Sequence, residues 1–166
     1  GAWARLEDSG IAVYEFDAAF EGVAQALVHS VPGRDVVRLL FGEIRPPMVE
    51  ALRRCRQVFR TACITNNFGD VGPDIVSPCR GAAWREVVGL FDFVLESSKV
   101  GVRKPEPAIY EMACERLGIS PHEAVYLDDL GINLKPAKAM GMATIKVADP
   151  DVAIAELEQL TGLSLK

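Results

Sequence analysis

Histidine is nearly missing from this chain, and cysteine never occurs in a paired spacing. His29 and His122 stand far apart, and Cys55, Cys63, Cys79 and Cys114 form no CxxC. That excludes the ligand spacing of a zinc site and offers no disulfide framework. Cys63 sits inside an apolar run and reads as a small core residue. The thiols read as reduced, which implies a cytoplasmic location. Both histidines read as exposed structural residues, one at a helix end and one beside a turn. A basic excess is lacking too: 18 Lys and Arg face 23 Asp and Glu, for a net charge of -5. Nothing sequence-wide therefore favours nucleic acid or an anionic membrane. No apolar run reaches the length of a membrane span. The start, Gly1-Ala-Trp-Ala-Arg5, does not read as a signal peptide. Repeats, low-complexity segments and linkers are not found.

What remains is an ordinary globular composition, 49% hydrophobic and 25% charged over 166 residues. That length allows one domain, with or without a small appendage, and a sizeable core. Residues 1–60 read as helical. Asp17 is a candidate N-cap for a helix carrying Phe20, Val23, Ala24, Leu27 and Val28 at helical spacing. Pro32-Gly33 breaks it. A short helix over Asp35 to Phe41 follows, and Pro46-Pro47 starts a third with Met48, Val49, Leu52 and Val58 on its apolar side. Arg53, Arg54 and Arg56 read as a solvated helix face. From Thr61 the pattern alternates. Strands are expected at Thr61–Thr65, Phe91–Glu96, Ala124–Leu127 and Met142–Val147. Helices are expected at Ala82–Leu90, Pro107–Leu117, Leu134–Met140 behind an Asn133 cap, and after Asp149-Pro150. A flexible loop is expected from Asp70 to Pro78, and a polar, turn-rich stretch from Ser97 to Lys104. Strands separated by helices predict an α/β fold with a parallel sheet and right-handed crossovers.

Such sheets place ligands at the carboxyl ends of their strands. Here those ends carry Thr65 and Asn66, then Lys104, then Asp128 and Asp129. Taken alone, the Asp-Asp pair reads as a turn followed by a cap. The three together suit a phosphoryl group. A threonine hydroxyl and neighbouring backbone N–H groups donate to phosphate oxygens. Lysine supplies a compact positive charge and keeps close carboxylates ionised. Aspartates hold Mg²⁺, which prefers oxygen ligands. A receiver module uses similar residues, but with the acidic pair first and the lysine last.

The stretches Phe91-Asp-Phe-Val-Leu-Glu-Ser-Ser98, Val100-Gly-Val-Arg-Lys-Pro-Glu-Pro-Ala-Ile-Tyr110 and Tyr126-Leu-Asp-Asp-Leu-Gly-Ile-Asn-Leu-Lys-Pro-Ala137 resemble the haloacid dehalogenase superfamily of hydrolases. Within it they are most similar to the amino-terminal phosphatase-type domain of soluble epoxide hydrolases. The resemblance implies a Rossmann-like, three-layer parallel sheet over residues 61–166, with a remnant of the helical cap over residues 1–60. It implies that Thr65, Asn66 and Asn67 bind phosphate and that Lys104 stabilises the nucleophile and the transferred group. Asp129 would be the Mg²⁺ ligand, Asp128 a supporting catalytic carboxylate, and Asn133 would order the helix start and support the metal site. The substrate class would be a small phosphorylated or other anionic molecule.

The same family opens on Asp-x-Asp-x-Thr/Val after a hydrophobic strand, the first aspartate being the nucleophile. No such motif precedes Thr61. The Asp-x-Asp at Asp149-Pro150-Asp151 falls where a terminal helix opens, and capping accounts for it. The first central strand is therefore expected to be missing. Either the chain is a piece of a longer phosphatase, or another chain fills the gap, as in a homodimer. Little or no turnover is expected from it, with magnesium weak or absent. The rival readings are a non-catalytic binding or regulatory module on the same fold, and a carbon–halogen hydrolase.

Overall fold

A computed structural model describes residues 1–7, 10–27, 29–40, 42–67 and 78–165. Val28, Phe41 and the part of the expected loop from Asp70 to Ser77 lie outside the described residues.

Three helices come first: α1 (Ala2–Glu7), α2 (Val13–Ala26) and α3 (Gly33–Leu40). Leu6, Ile11, Val13, Phe16 and Val37 form their shared core. The α2 start differs from expectation. Ala12 precedes it, and Glu15 accepts the Ala12 N–H at 2.8 Å. Asp17 is thus inside α2, and it serves the next helix instead. Its Oδ1 accepts the Arg34 backbone N–H at 2.9 Å, with the Arg34 guanidinium 3.4 Å from Oδ2. The two helices cross so closely that a Cβ on Gly33 would lie 2.9 Å from the Asp17 Cα. Only glycine fits there.

Helix α4 (Pro46–Cys55) starts on two prolines, whose fixed φ suits a first turn. It turns Ala51 and Cys55 into a second core, with Ile145, Ala153, Ile154, Leu157 and Leu165.

Among the described residues four short strands follow, in two parallel pairs. Strand β1 (Ala62–Thr65) pairs with β2 (Phe93–Glu96), Thr65 opposite Glu96. Strand β3 (Val125–Asp128) pairs with β4 (Ala143–Lys146), Asp128 opposite Lys146. Among the described residues neither pair is hydrogen-bonded to the other. The crossovers are helical: α5 (Pro78–Val88), α6 (Ser97–Val100), α7 (Pro107–Leu117) and α8 (Gly131–Ala139), with α9 (Pro150–Thr161) closing the chain. The stretch expected as turns after Glu96 therefore contains a short helix. A third core joins the pairs from one side, through Leu95, Ile109, Tyr110, Ala113, Cys114, Ala137 and Met142.

Helix α8 starts three residues earlier than expected, at Gly131 rather than Leu134. Asn133 lies in its first turn rather than at its cap, with its N–H on the Leu130 carbonyl at 2.9 Å. Asp149 behaves as its sequence suggests. Its Oδ1 accepts the N–H groups of Asp151 and Val152 at 2.9 and 3.1 Å, which satisfies two donors of the α9 start. Cys55, Cys63 and Cys114 are free thiols. Among the described residues no helix is long and apolar enough to cross a membrane.

If Asp149 is only a cap, Asp149→Ala costs about 1 kcal/mol of stability. Urea denaturation measures it. A loss several times larger would mean that the carboxylate does more than close α9.

Candidate functional site

Lys104 is held at both ends. The side-chain amide of Asn66, just beyond β1, clasps its backbone. Asn66 Oδ1 accepts the Lys104 N–H at 2.8 Å, and Nδ2 donates to the Lys104 carbonyl at 2.9 Å. The Lys104 ammonium meets Asp128 Oδ2 at 2.8 Å, with the two side chains 15% and 4% exposed. Since Asn66 follows β1 and Asp128 ends β3, one lysine ties together the carboxyl ends of both strand pairs.

Asp128 is saturated. Its Oδ2 also accepts the Tyr126 hydroxyl at 2.7 Å. Its Oδ1 accepts the Leu130 N–H and the Asn133 Nδ2, each at 2.9 Å. Burial alone would raise its pKa. The hydrogen bonds from Lys104, Tyr126, Leu130 and Asn133 outweigh burial and hold it below the usual carboxylate value. Tyr126 is pushed far up, first by burial and then by Asp128, so it stays a donor. Tyr110 is pushed up to about 12, again chiefly by burial. Its hydroxyl donates to the Asn133 carbonyl at 2.8 Å, and its ring meets Tyr126 edge-on at 5.2 Å.

The structure brings Lys104, Asp128, Asn66 and Asn133 into one bonded group. Asn67 is near but differently engaged. Its Oδ1 accepts from the Ser98 N–H and hydroxyl at 3.3 and 3.0 Å, which pins the start of α6. Both ends of the Asn66 amide and the amide oxygen of Asn67 are thus engaged inside the protein, so a phosphate contact from Asn66 would come through its backbone. Thr65 ends β1 and is half-buried. Asp129 is exposed beside its buried neighbour. Asn133 touches Asp128 rather than Asp129. Three residues escaped the sequence reading: Tyr126, Tyr110 and Ser98. For Tyr126 a signal existed, because it lies two residues before Asp128 and so shares its strand face.

Among the described residues at this strand edge, Asp129 is the exposed carboxylate. Asp128 is occupied by donors, and no cluster of three metal-ligating side chains occurs among the described residues. Mg²⁺ uses one or two carboxylates with water and phosphate oxygens. Asp129 fits as one such ligand, but the residues present do not make a complete site.

Removing either partner of the Lys104–Asp128 pair has unequal effects. Asp128→Asn leaves a buried ammonium and three other donors facing an amide, and costs about 3 kcal/mol or more. Lys104→Met leaves the carboxylate with three donors and costs less. Because the folded pKa of Asp128 is lowered, its contribution is complete above the ordinary carboxylate range. It is lost as the pH falls through the lower folded value. The wild-type chain therefore loses stability on acidification below about pH 4, and Asp128→Asn shows a shallower acid slope. Urea melts across that range test both; equal losses in the two variants would contradict the asymmetry.

With this geometry in view, the similarities to known proteins are informative. The haloacid dehalogenase-like hydrolase family matches over residues 3–141. Bifunctional epoxide hydrolase 2 of Sus scrofa is 42% identical over 124 residues, 74% of this chain and 22% of that protein. The chain thus spans about a fifth of that curated relative's length. Glyceraldehyde 3-phosphate phosphatase of Methanopyrus kandleri is 37% identical over 70 residues, 39% of this chain and 30% of that protein. Among solved structures, a predicted HAD-like family hydrolase from Porphyromonas gingivalis superposes with a TM-score of 0.76 at 20% identity, covering 99% of this chain and 80% of that one. A HAD family enzyme from Bacteroides thetaiotaomicron, in complex with magnesium and inorganic phosphate, superposes with a TM-score of 0.62 at 22% identity, covering 88% and 74%. These two share the fold: a HAD-like α/β core built on parallel strands. The chain belongs to the haloacid dehalogenase-like hydrolase family.

Proposed function

We propose that this chain carries the phosphate-handling half of a magnesium-dependent phosphate-monoester hydrolase. The observation that carries the reading is the clamped Lys104 ammonium, fixed by Asn66 and Asp128 at the carboxyl edge of both strand pairs. A preorganised, largely buried cation is worth more to an anionic transition state than a mobile surface lysine. Thr65, at the end of β1, supplies a hydroxyl donor for a phosphate oxygen, and the backbone beyond it supplies N–H groups. Asp129 would hold magnesium, which when bound neutralises phosphate charge. The phosphatase and the magnesium–phosphate complex among the relatives support this assignment.

The chain's own residues do not complete a turnover cycle on this reading. The first aspartate of its Asp-x-Asp, Asp149, is engaged in capping α9, and Asp151 lies in that helix's first turn. An attacking carboxylate would come from outside these 166 residues. It would bond to phosphorus as the ester oxygen leaves, and water would then release phosphate. Alone, the chain binds phosphate and turns nothing over. The substrate class is a small phosphate monoester.

Calorimetric titration with inorganic phosphate and magnesium tests this. The wild-type chain binds, and Lys104→Met binds at least about tenfold more weakly, as expected for loss of a charge-assisted contact. Equal binding by the two, or magnesium-dependent phosphatase turnover by the homogeneous chain, would overturn the proposal.

A further inference from the structure

Strand alternation puts Tyr126 and Asp128 on one face of β3. The neighbours Val125 and Leu127 face the α4–α9 core, whereas Tyr126 packs with Tyr110 in the other. The Tyr126 hydroxyl therefore arrives beside the carboxylate that holds Lys104. Both donors use the same oxygen, Oδ2, at 2.7 Å from Tyr126 and 2.8 Å from Lys104. The other oxygen is filled by the Leu130 N–H and Asn133 Nδ2.

We propose that Tyr126 is a positioning residue of the phosphate site, one that fixes the Lys104 ammonium by sharing Oδ2 of Asp128 with it. This rests on the phosphate reading above. Two consequences follow from the shared oxygen. First, Tyr126 holds Oδ2 as Leu130 and Asn133 hold Oδ1, so the carboxylate is anchored at both oxygens independently of the lysine. The ammonium is left one direction of approach. Second, a carboxylate already hydrogen-bonded by three neutral groups holds less of the lysine's charge. More of that charge is left for a phosphate oxygen. Without the hydroxyl, Oδ2 has one donor, and the carboxylate can swing with its lysine. The Tyr110 ring, edge-on to Tyr126, keeps the phenol ring in place. Tyr126→Phe therefore removes the hydroxyl while leaving that packing intact.

A purely structural hydroxyl would lower the melting temperature and leave ligand binding alone. The test uses NMR on the 166-residue chain. Inorganic phosphate is titrated into the wild type, Tyr126→Phe and Lys104→Met. Tyr126→Phe is expected to bind phosphate about 3- to 10-fold more weakly at a temperature where all three are folded. The ¹³Cζ resonance of Tyr126 should move on phosphate addition in the wild type and stay still in Lys104→Met. In the ligand-free chains, the Lys104 ε-methylene should be ordered in the wild type and mobile in Tyr126→Phe. Wild-type phosphate affinity and an ordered Lys104 in Tyr126→Phe would overturn the assignment. If the wild-type chain binds no phosphate, the phosphate reading fails instead. The order of the Lys104 side chain then decides the positioning role by itself.

Discussion

The ion pair between Lys104 and Asp128 is the constraint on which the rest depends. Its two members belong to segments far apart in the chain, and it closes the carboxyl edge of a sheet whose two strand pairs share no backbone hydrogen bond among the described residues. Burying such a pair is unfavourable unless its remaining hydrogen-bonding capacity is filled. Here Tyr126, Leu130 and Asn133 fill the carboxylate, while Asn66 fixes the lysine backbone. The polar network that stabilises the pair also gives it a single geometry, and a single geometry is what an anion-binding cation needs.

Adjacent aspartates acquire opposite characters from this arrangement. Asp128 ends the strand facing inward and is consumed by internal donors. Asp129, one residue on, is left exposed as the chain turns toward α8. Two carboxylates in sequence thus become one structural anion and one available ligand. A motif read as a magnesium ligand beside a supporting carboxylate is, in three dimensions, an exposed carboxylate next to a lysine clamp.

Features carried by local chemistry were legible in the sequence. The α/β alternation, the prolines opening α4, α7 and α9, and the Asp149 cap all depend on a few adjacent residues. The clustering of Lys104 and Asp128 was legible too, because both follow the rule that ligands gather at strand carboxyl ends. Which partner each short polar side chain takes was not legible. Asp17 looks like a cap for its own helix, yet it serves α3, because α2 and α3 cross closely at Gly33. Asn133 looks like a cap, yet Asp128 claims its amide once α8 starts at Gly131. Asn66 and Asn67 look like ligand donors, yet their side chains hold Lys104 and Ser98. In each case tertiary packing, rather than the immediate sequence neighbours, sets the partner of a short polar side chain.

The most direct test of the account is where a phosphate mimic binds. Tungstate can be soaked into crystals of the chain and located by its anomalous scattering. The oxyanion is expected within hydrogen-bonding distance of the Lys104 ammonium and the Thr65 hydroxyl, with Asp128 still bound by Tyr126 and Asn133. Tungstate bound elsewhere, or a Lys104 ammonium that leaves Asp128 and turns away from the oxyanion, would contradict it.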